Sequence, residues 1–210
     1  MTINHPIAPS ASHLKSQLRQ TLRAQRRALP VRERRRRALA MGKKLTQLSA
    51  FRSAQRIAVF FAADGEIDPA WLTQLAWQRG KQVFLPVLTP SKQLLFAGYQ
   101  RGTPLRKNRY GILEPIPNRR NLLDPRQLDL VLTPLVAFDT CGHRLGMGGG
   151  FYDQTFAFLK QHPRRRPRLL GLAYDFQRCQ NLPSEAWDVP LSIVVTDKQV
   201  YRNRIQPSLT

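Results

Sequence analysis

The chain has 210 residues, 42% of them apolar, and its 34 Lys and Arg against 13 Asp and Glu give a net charge of +21. The longest apolar run, Ile57 to Ala63, is seven residues, far short of the roughly 18 needed to span a bilayer, and the N-terminus lacks a basic flank followed by an apolar core. Its two cysteines, Cys141 and Cys179, form no CxxC pair, so a disulfide framework, a thiolate zinc site and secretion are disfavoured, a reducing cytoplasm is expected, and the excess cations point to polyanionic partners.

Residues 1–12 read as a loose tail ahead of one α/β domain over residues 13–210. A helix is expected from His13, because Leu14, Leu18 and Leu22 recur every four residues as one apolar stripe. Lys15, Arg19 and Arg23 repeat on the neighbouring face and offer three cations in a row. A second helix follows Pro30 and runs to Leu48, with Ala38, Met41, Leu45 and Leu48 spaced for burial. Its first turns hold Arg32, Glu33 and Arg34 to Arg37, an unfavourable charge for a helix N-terminus.

Ile57 to Phe61 reads as a buried strand, followed by the loop Asp64-Gly65-Glu66-Ile67-Asp68. Asp68 and Pro69 suit the start of a helix with Trp71, Leu72, Leu75 and Ala76 inward and Gly80 as its stop. Val83 to Val87 then completes a βαβ unit, which requires parallel strands. Further strands are expected at Leu94–Tyr99, Leu128–Pro134, Leu169–Tyr174 and Ile193–Val195, with an irregular arm over 103–121, a helix over Phe151–Lys160 and a basic patch over 163–168. Strands alternating with helices predict a three-layer α/β fold, a mostly parallel sheet flanked by helices in the Rossmann-like manner.

The segment Gly142-His143-Arg144-Leu145-Gly146-Met147-Gly148-Gly149-Gly150-Phe151-Tyr152-Asp153 concentrates the chemistry. Four glycines within five positions, between a predicted strand and a predicted helix, let backbone N–H groups approach and cradle an anion. Walker A and GxGxxG patterns both fail here, since no Gly-Lys-Ser/Thr is present and Phe151 stands where the last glycine would fall. A tight structural loop is the competing reading. Arg144 and Asp153 favour phosphate, because an arginine clamps phosphate oxygens and a carboxylate holds the magnesium that accompanies ATP.

Leu135-Val136-Ala137-Phe138-Asp139 followed by Gly142 to Asp153 resembles the signature of 5-formyltetrahydrofolate cyclo-ligases, also called methenyltetrahydrofolate synthetases. Lys15 to Arg19 resembles their N-terminal Lys-x-x-x-Arg, Glu66 falls in their acidic loop, and Trp187-Asp188-Val189 resembles their C-terminal Asp motif. The resemblance extends over nearly the whole chain and implies a NagB/RpiA/CoA-transferase-like fold. It also implies ATP-dependent closure of 5-formyltetrahydrofolate to 5,10-methenyltetrahydrofolate through a phosphorylated formyl group. On this likeness ATP would meet Lys15, Arg19 and Arg144 to Tyr152, with Arg144 and Asp153 catalytic. Asp153 and Asp188 would share Mg2+, and Glu66, Met147 and Phe151 would bind the folate, in its mono- or polyglutamylated form. Many members have Gly-Lys-Gly-Tyr-Tyr-Asp in the loop, whereas this chain has Gly149 and Phe151, one cation fewer.

Two other classes stay open: an RNA-binding protein served by Arg32–Arg37 and Arg164–Arg168, and a small-molecule kinase using the same loop. A Cys141/His143 nucleophile pair lacks an evident orienting carboxylate. Trp187 reads as core packing, and Tyr110, Glu114 and Pro115 as a turn in the arm, with substrate contact as the alternative. The chain is expected to act as a monomer away from membranes.

Overall fold

The computed structural model describes residues 10–162 and 166–203. Most of the expected tail, and part of the basic patch over 163–168, lie outside the described residues. Helix α1 spans Ala11–Ala28, starting two residues ahead of the expected His13, and the Ser10 side chain accepts from the His13 N–H at its start. Helix α2 spans Val31–Thr46 and α3 Ser49–Ser53. The charge block at the start of α2 is partly neutralised from within, because Glu33 accepts from Arg36 and Arg37 at 2.8 and 2.6 Å, and Arg37 also reaches Asp197 at 3.4 Å.

Strand β1 (Arg56–Ala58), helix α4 (Ala70–Gln78) and strand β2 (Gln82–Leu88) form the expected βαβ unit, with β1 and β2 parallel. β1 stops at Ala58, short of the expected Phe61, and Asp68 accepts from the Ala70 N–H just before α4. Strands β3 (Leu94–Gly98), β4 (Leu105–Lys107), β5 (Leu113–Pro115) and β6 (Leu122–Leu123) follow. The supposedly irregular arm thus contains the hairpin β4–β5. After β7 (Leu130–Pro134) come the short hairpin β8 (Ala137–Phe138) and β9 (Arg144–Leu145), then α5 (Phe151–Phe156). α5 is shorter than the expected helix, because the chain tightens into a 3-10 turn at Ala157–Leu159. β10 (Arg168–Ala173), β11 (Ile193–Thr196) and β12 (Val200–Arg202) complete the sheet.

The central sheet runs β12-β11-β10-β7-β1-β2-β3-β6. β11, β10, β7, β1 and β2 are mutually parallel, while β3, β6 and β12 pair antiparallel at the two sides. The parallel strands are buried on both faces, and alternate side chains divide between two cores. Ile57, Leu130, Leu132, Leu170, Leu172 and Val195 pack with α2, α3 and α4 residues such as Met41, Phe51 and Leu72. Ala58, Val131, Leu169, Ala173 and Val194 pack with Phe156, Leu159 and Leu191 on the other face. This is the single three-layer α/β domain expected from the alternation of elements.

The chain leaves β1 toward β2 and β3 on one side and later returns to β7, β10 and β11 on the other. The strand order therefore reverses between β1 and β7. In open parallel sheets ligands bind in the crevice outside the carboxyl ends of the strands at such a reversal. The acidic loop follows β1 and the glycine loop follows the β7 end, so the fold brings the two together there.

Candidate active site

Residues from α1 reach both loops. Arg19 Nε donates to the Gly146 carbonyl at 2.9 Å, and a methyl group added at Gly148 would lie 3.8 Å from its guanidinium. Partial burial lowers the Arg19 pKa, as expected for a cation drawn under a loop. Lys15 Nζ pairs with Glu185 at 3.0 Å, and the Glu185 N–H in turn donates to Asp188 Oδ2 at 2.8 Å. The cationic face of α1 is thus turned into the crevice rather than to solvent.

Gly148 (φ 103°) and Gly150 (φ 69°) are left-handed, a conformation that favours glycine, so the repeated glycines are a backbone requirement. Gly149 differs: a Cβ there would stand 2.8 Å from the Phe151 ring, which occupies the space of the missing side chain. Tyr110 packs edge-on to that ring with centroids 6.1 Å apart, and the Arg109 guanidinium lies 5.8 Å from its centroid. The arm, unassigned from sequence, therefore closes over the first residue of α5. Met147 is half exposed, whereas Leu145 is buried in a small core with Leu22 and Val136, so its side chain holds the loop base. The Tyr152 ring stacks on Phe156, and burial together with the Glu66 charge pushes its phenol pKa up.

Arg144 is committed to the protein. Its side chain is 5% exposed, NH2 donates to Asp153 Oδ1 at 2.6 Å, and NH1 donates to the Val189 carbonyl. Val189 N–H also donates to Asp153 Oδ1, at 3.0 Å. One oxygen of Asp153 is thereby fixed by two donors, while Asp188 is carried beside it by the same backbone. Among the described residues no group of three or more His, Cys, Asp or Glu side chains is placed to hold a metal ion. Two carboxylates suit magnesium, which binds through one or two carboxylates and completes its shell with phosphates and water.

Glu66 lies in the loop between β1 and α4, lining a groove with Arg34 and Arg35 of α2. Its Oε2 accepts from the Ala63 N–H at 3.2 Å, and its Oε1 stands 3.8 Å from Arg26 NH1. Burial pushes its carboxyl up to about 7, against the pull of Arg26, so it is half ionised near neutrality. Neighbouring Asp64 behaves oppositely: burial disfavours its charge, but bonds from Arg23 and Arg26 outweigh this and hold it below the ordinary value. Gly65, at φ 75°, lies against the α1 backbone, where a Cβ would meet the Arg26 carbonyl at 3.0 Å.

The residue matches of the glycine loop, the α1 cations and the Asp188 turn thus converge at one crevice, and comparison with known proteins assigns the family. A model of the 5-formyltetrahydrofolate cyclo-ligase family matches residues 11–197. The chain belongs to that family. A 5-formyltetrahydrofolate cyclo-ligase of Haemophilus influenzae is 49% identical over 142 residues, 67% of this chain and 74% of the relative. The Escherichia coli K12 cyclo-ligase is 46% identical over 150 residues, 70% of this chain and 81% of its own length. The solution structure of Aquifex aeolicus 5,10-methenyltetrahydrofolate synthetase superposes with a TM-score of 0.77 at 31% identity, covering 94% of this chain and 96% of that one.

For this family member, sequence reasoning missed Arg26, Asp64 and Glu185 as parts of the site. Arg26 had a signal: it continues the stripe Leu14, Leu18, Leu22 at the next four-residue step, a cation in a core position. Trp187, expected in the core, is 66% exposed on the turn that carries Glu185 and Asp188. The Cys141/His143 reading fails for a different reason than a missing carboxylate. Asp139 is present and bonds His143 Nδ1 at 2.8 Å, but it also accepts from the Cys141, His143 and Leu182 N–H groups, so it ties the hairpin base together.

Proposed function

We propose that the chain is a cytoplasmic, monomeric enzyme that uses MgATP to convert 5-formyltetrahydrofolate, including polyglutamylated forms, to 5,10-methenyltetrahydrofolate, ADP and phosphate. The observation that carries this reading is Arg26, which bonds Asp64 in the loop of Glu66 and Met147 in the glycine loop, and so ties the acidic loop to the loop that runs from Arg144 to Asp153. Phosphoryl transfer asks for positioning and charge neutralisation rather than a protein nucleophile. The formyl oxygen attacks the γ-phosphorus and ADP leaves. N10 then attacks the formyl carbon, the ring closes, and phosphate departs with the former formyl oxygen as the N10 proton is lost.

Each residue has a matching task. Lys15, Arg19 and the backbone from Leu145 to Tyr152 receive the triphosphate. Asp153 and Asp188 are the residues that would hold magnesium, which neutralises charge on the phosphate oxygens. Arg144 acts on Asp153, fixing one of its oxygens and leaving the other available. Glu66 accepts N–H bonds from the reduced pterin, and Met147 and Phe151 supply apolar contact along the folate.

The test is absorbance at the methenyl band with purified protein, MgATP and 5-formyltetrahydrofolate. A rise that requires all three supports the reading. ATP bound by folded protein with no rise would overturn it and return the kinase alternative to the front.

A further inference from the structure

The α1 helix places a charged residue where its apolar stripe should continue, and that residue has no solvent exposure: Arg26 is 0% exposed. A guanidinium has five N–H donors and cannot be neutralised, so every donor needs a partner when water is excluded. Nε donates to the Asp64 carbonyl at 2.7 Å and NH2 to Asp64 Oδ2 at 2.8 Å. NH2 also meets Met147 Sδ at 3.7 Å, while NH1 reaches the Leu135 carbonyl at 3.4 Å and Glu66 Oε1 at 3.8 Å. One side chain thus joins the acidic loop, the end of β7 and the glycine loop.

Asp64 alone is a poor counter-ion for it. The same carboxylate pairs with Arg23 at 2.6 Å and Arg27 at 3.4 Å, so one negative charge serves three cations. Glu66 is the second acid within reach of the buried guanidinium. At 3.8 Å the contact is electrostatic rather than a short hydrogen bond, which leaves Oε1 free to accept from another donor.

We propose that Arg26 is a positioning residue for Glu66, favouring its charged form and orienting it in the crevice so that it receives an N–H-bearing heterocycle. The inference rests on the proposed folate reading for the identity of that heterocycle, not for the pairing itself. The other charged and titratable groups around Glu66 are Arg23 on α1, Asp64 and Asp68 in its own loop, Arg34 and Arg35 across the groove from α2, and Tyr152 on α5. Tyr174 hydroxyl touches the Glu66 backbone carbonyl at 3.4 Å. Arg26 stands first among those that favour the charge.

The Glu66 side-chain carboxyl is followed by carbon NMR across pH in the wild type, Arg26→Met, Arg26→Lys and Asp64→Asn, together with the acidic limb of kcat/KM for the folate. In Arg26→Met the Glu66 midpoint should rise by about one pH unit or more. The ionised fraction at pH 7 then falls about fivefold, and kcat/KM recovers as pH is raised. Arg26→Lys keeps the charge and should move the midpoint less. Asp64→Asn removes a competing acid at a partly exposed position, so its midpoint should fall, which preserves the test if Arg26→Met does not fold. Midpoints unchanged in the folded variants, with only thermal stability lost, would reduce Arg26 to a structural tie and overturn the proposal. The NMR titration needs no substrate, so a wild type that makes no methenyl product sinks the proposed function while this test still stands.

Discussion

Two arginines, both nearly closed to solvent, hold carboxylates on the two sides of the crevice in opposite ways. Arg144 meets Asp153 at 2.6 Å, and a backbone N–H completes the grip on the same oxygen. Arg26 stands 3.8 Å from Glu66, whose burial pushes it up to about 7. The first arrangement is closed, with two donors on one carboxylate oxygen. The second is longer than a hydrogen bond by about 1 Å, which leaves Glu66 Oε1 able to accept from another donor. Glu66 is the more buried of the two carboxylates and the more loosely held, so burial and contact distance together separate the pairs.

Breaking the closed pair should have the largest effect. Asp153→Ala is expected to lower methenyl formation by ~100-fold or more, since a group at the phosphates is lost along with its orientation. It also leaves the Arg144 guanidinium buried without its acid, a loss of about 3 kcal/mol that a denaturation midpoint would register. Asp153→Asn should spare more of the stability than of the activity, which separates the two roles.

Breaking the open pair is expected to do the reverse to stability. Glu66→Gln removes a charged acceptor, raising KM for the folate about 10-fold or more. A carboxyl raised in the folded state binds its proton more tightly there than in the unfolded chain. Its contribution to stability therefore declines as pH rises from the ordinary carboxylate value to about 7, then stays flat. The decline is on the order of 3 kcal/mol. Thermal melting at pH 8 should accordingly find Glu66→Gln more stable than the wild type, and the two should converge below pH 5.

The half-exposed Lys15–Glu185 pair sharpens the series as its weakest member. The glutamate is 40% exposed, so solvent screens the pair and its worth is small. Glu185→Gln should free Lys15 for phosphate and lower KM for ATP by about twofold, measurable in initial rates. An unchanged KM would mean that Lys15 serves the turn rather than the nucleotide.

Much of this could be read from the sequence because periodicity and glycine spacing are local. The βαβ unit followed from Ile57, Leu72 and Val83 in their patterns, and the glycine loop from its positions between a strand and a helix. What escaped depended on contacts across the chain. Arg26 is a core residue only because Asp64, 38 positions away, meets it. Trp187 looked apolar enough for burial, yet the segment around it is a turn held by Asp188 and Val189 and offers no face to bury against. The hairpin β4–β5 and the edge strand β12 are short, three residues each, so alternation had too few positions to show.

Helix α1 carries Lys15, Arg19, Arg23 and Arg26 on one rigid rod. Eleven residues at about 1.5 Å of rise set the Glu185 end roughly 16 Å from the Glu66 end. The helix therefore works as a ruler, fixing the separation between the Glu185 turn and the acidic loop, which no single loop spans. Inserting one residue between Arg19 and Arg23 would turn the far half by about 100° and aim Arg26 at solvent. A loop can take up an inserted residue by bulging outward, but this stretch has no such slack, so its length is as constrained as its cations.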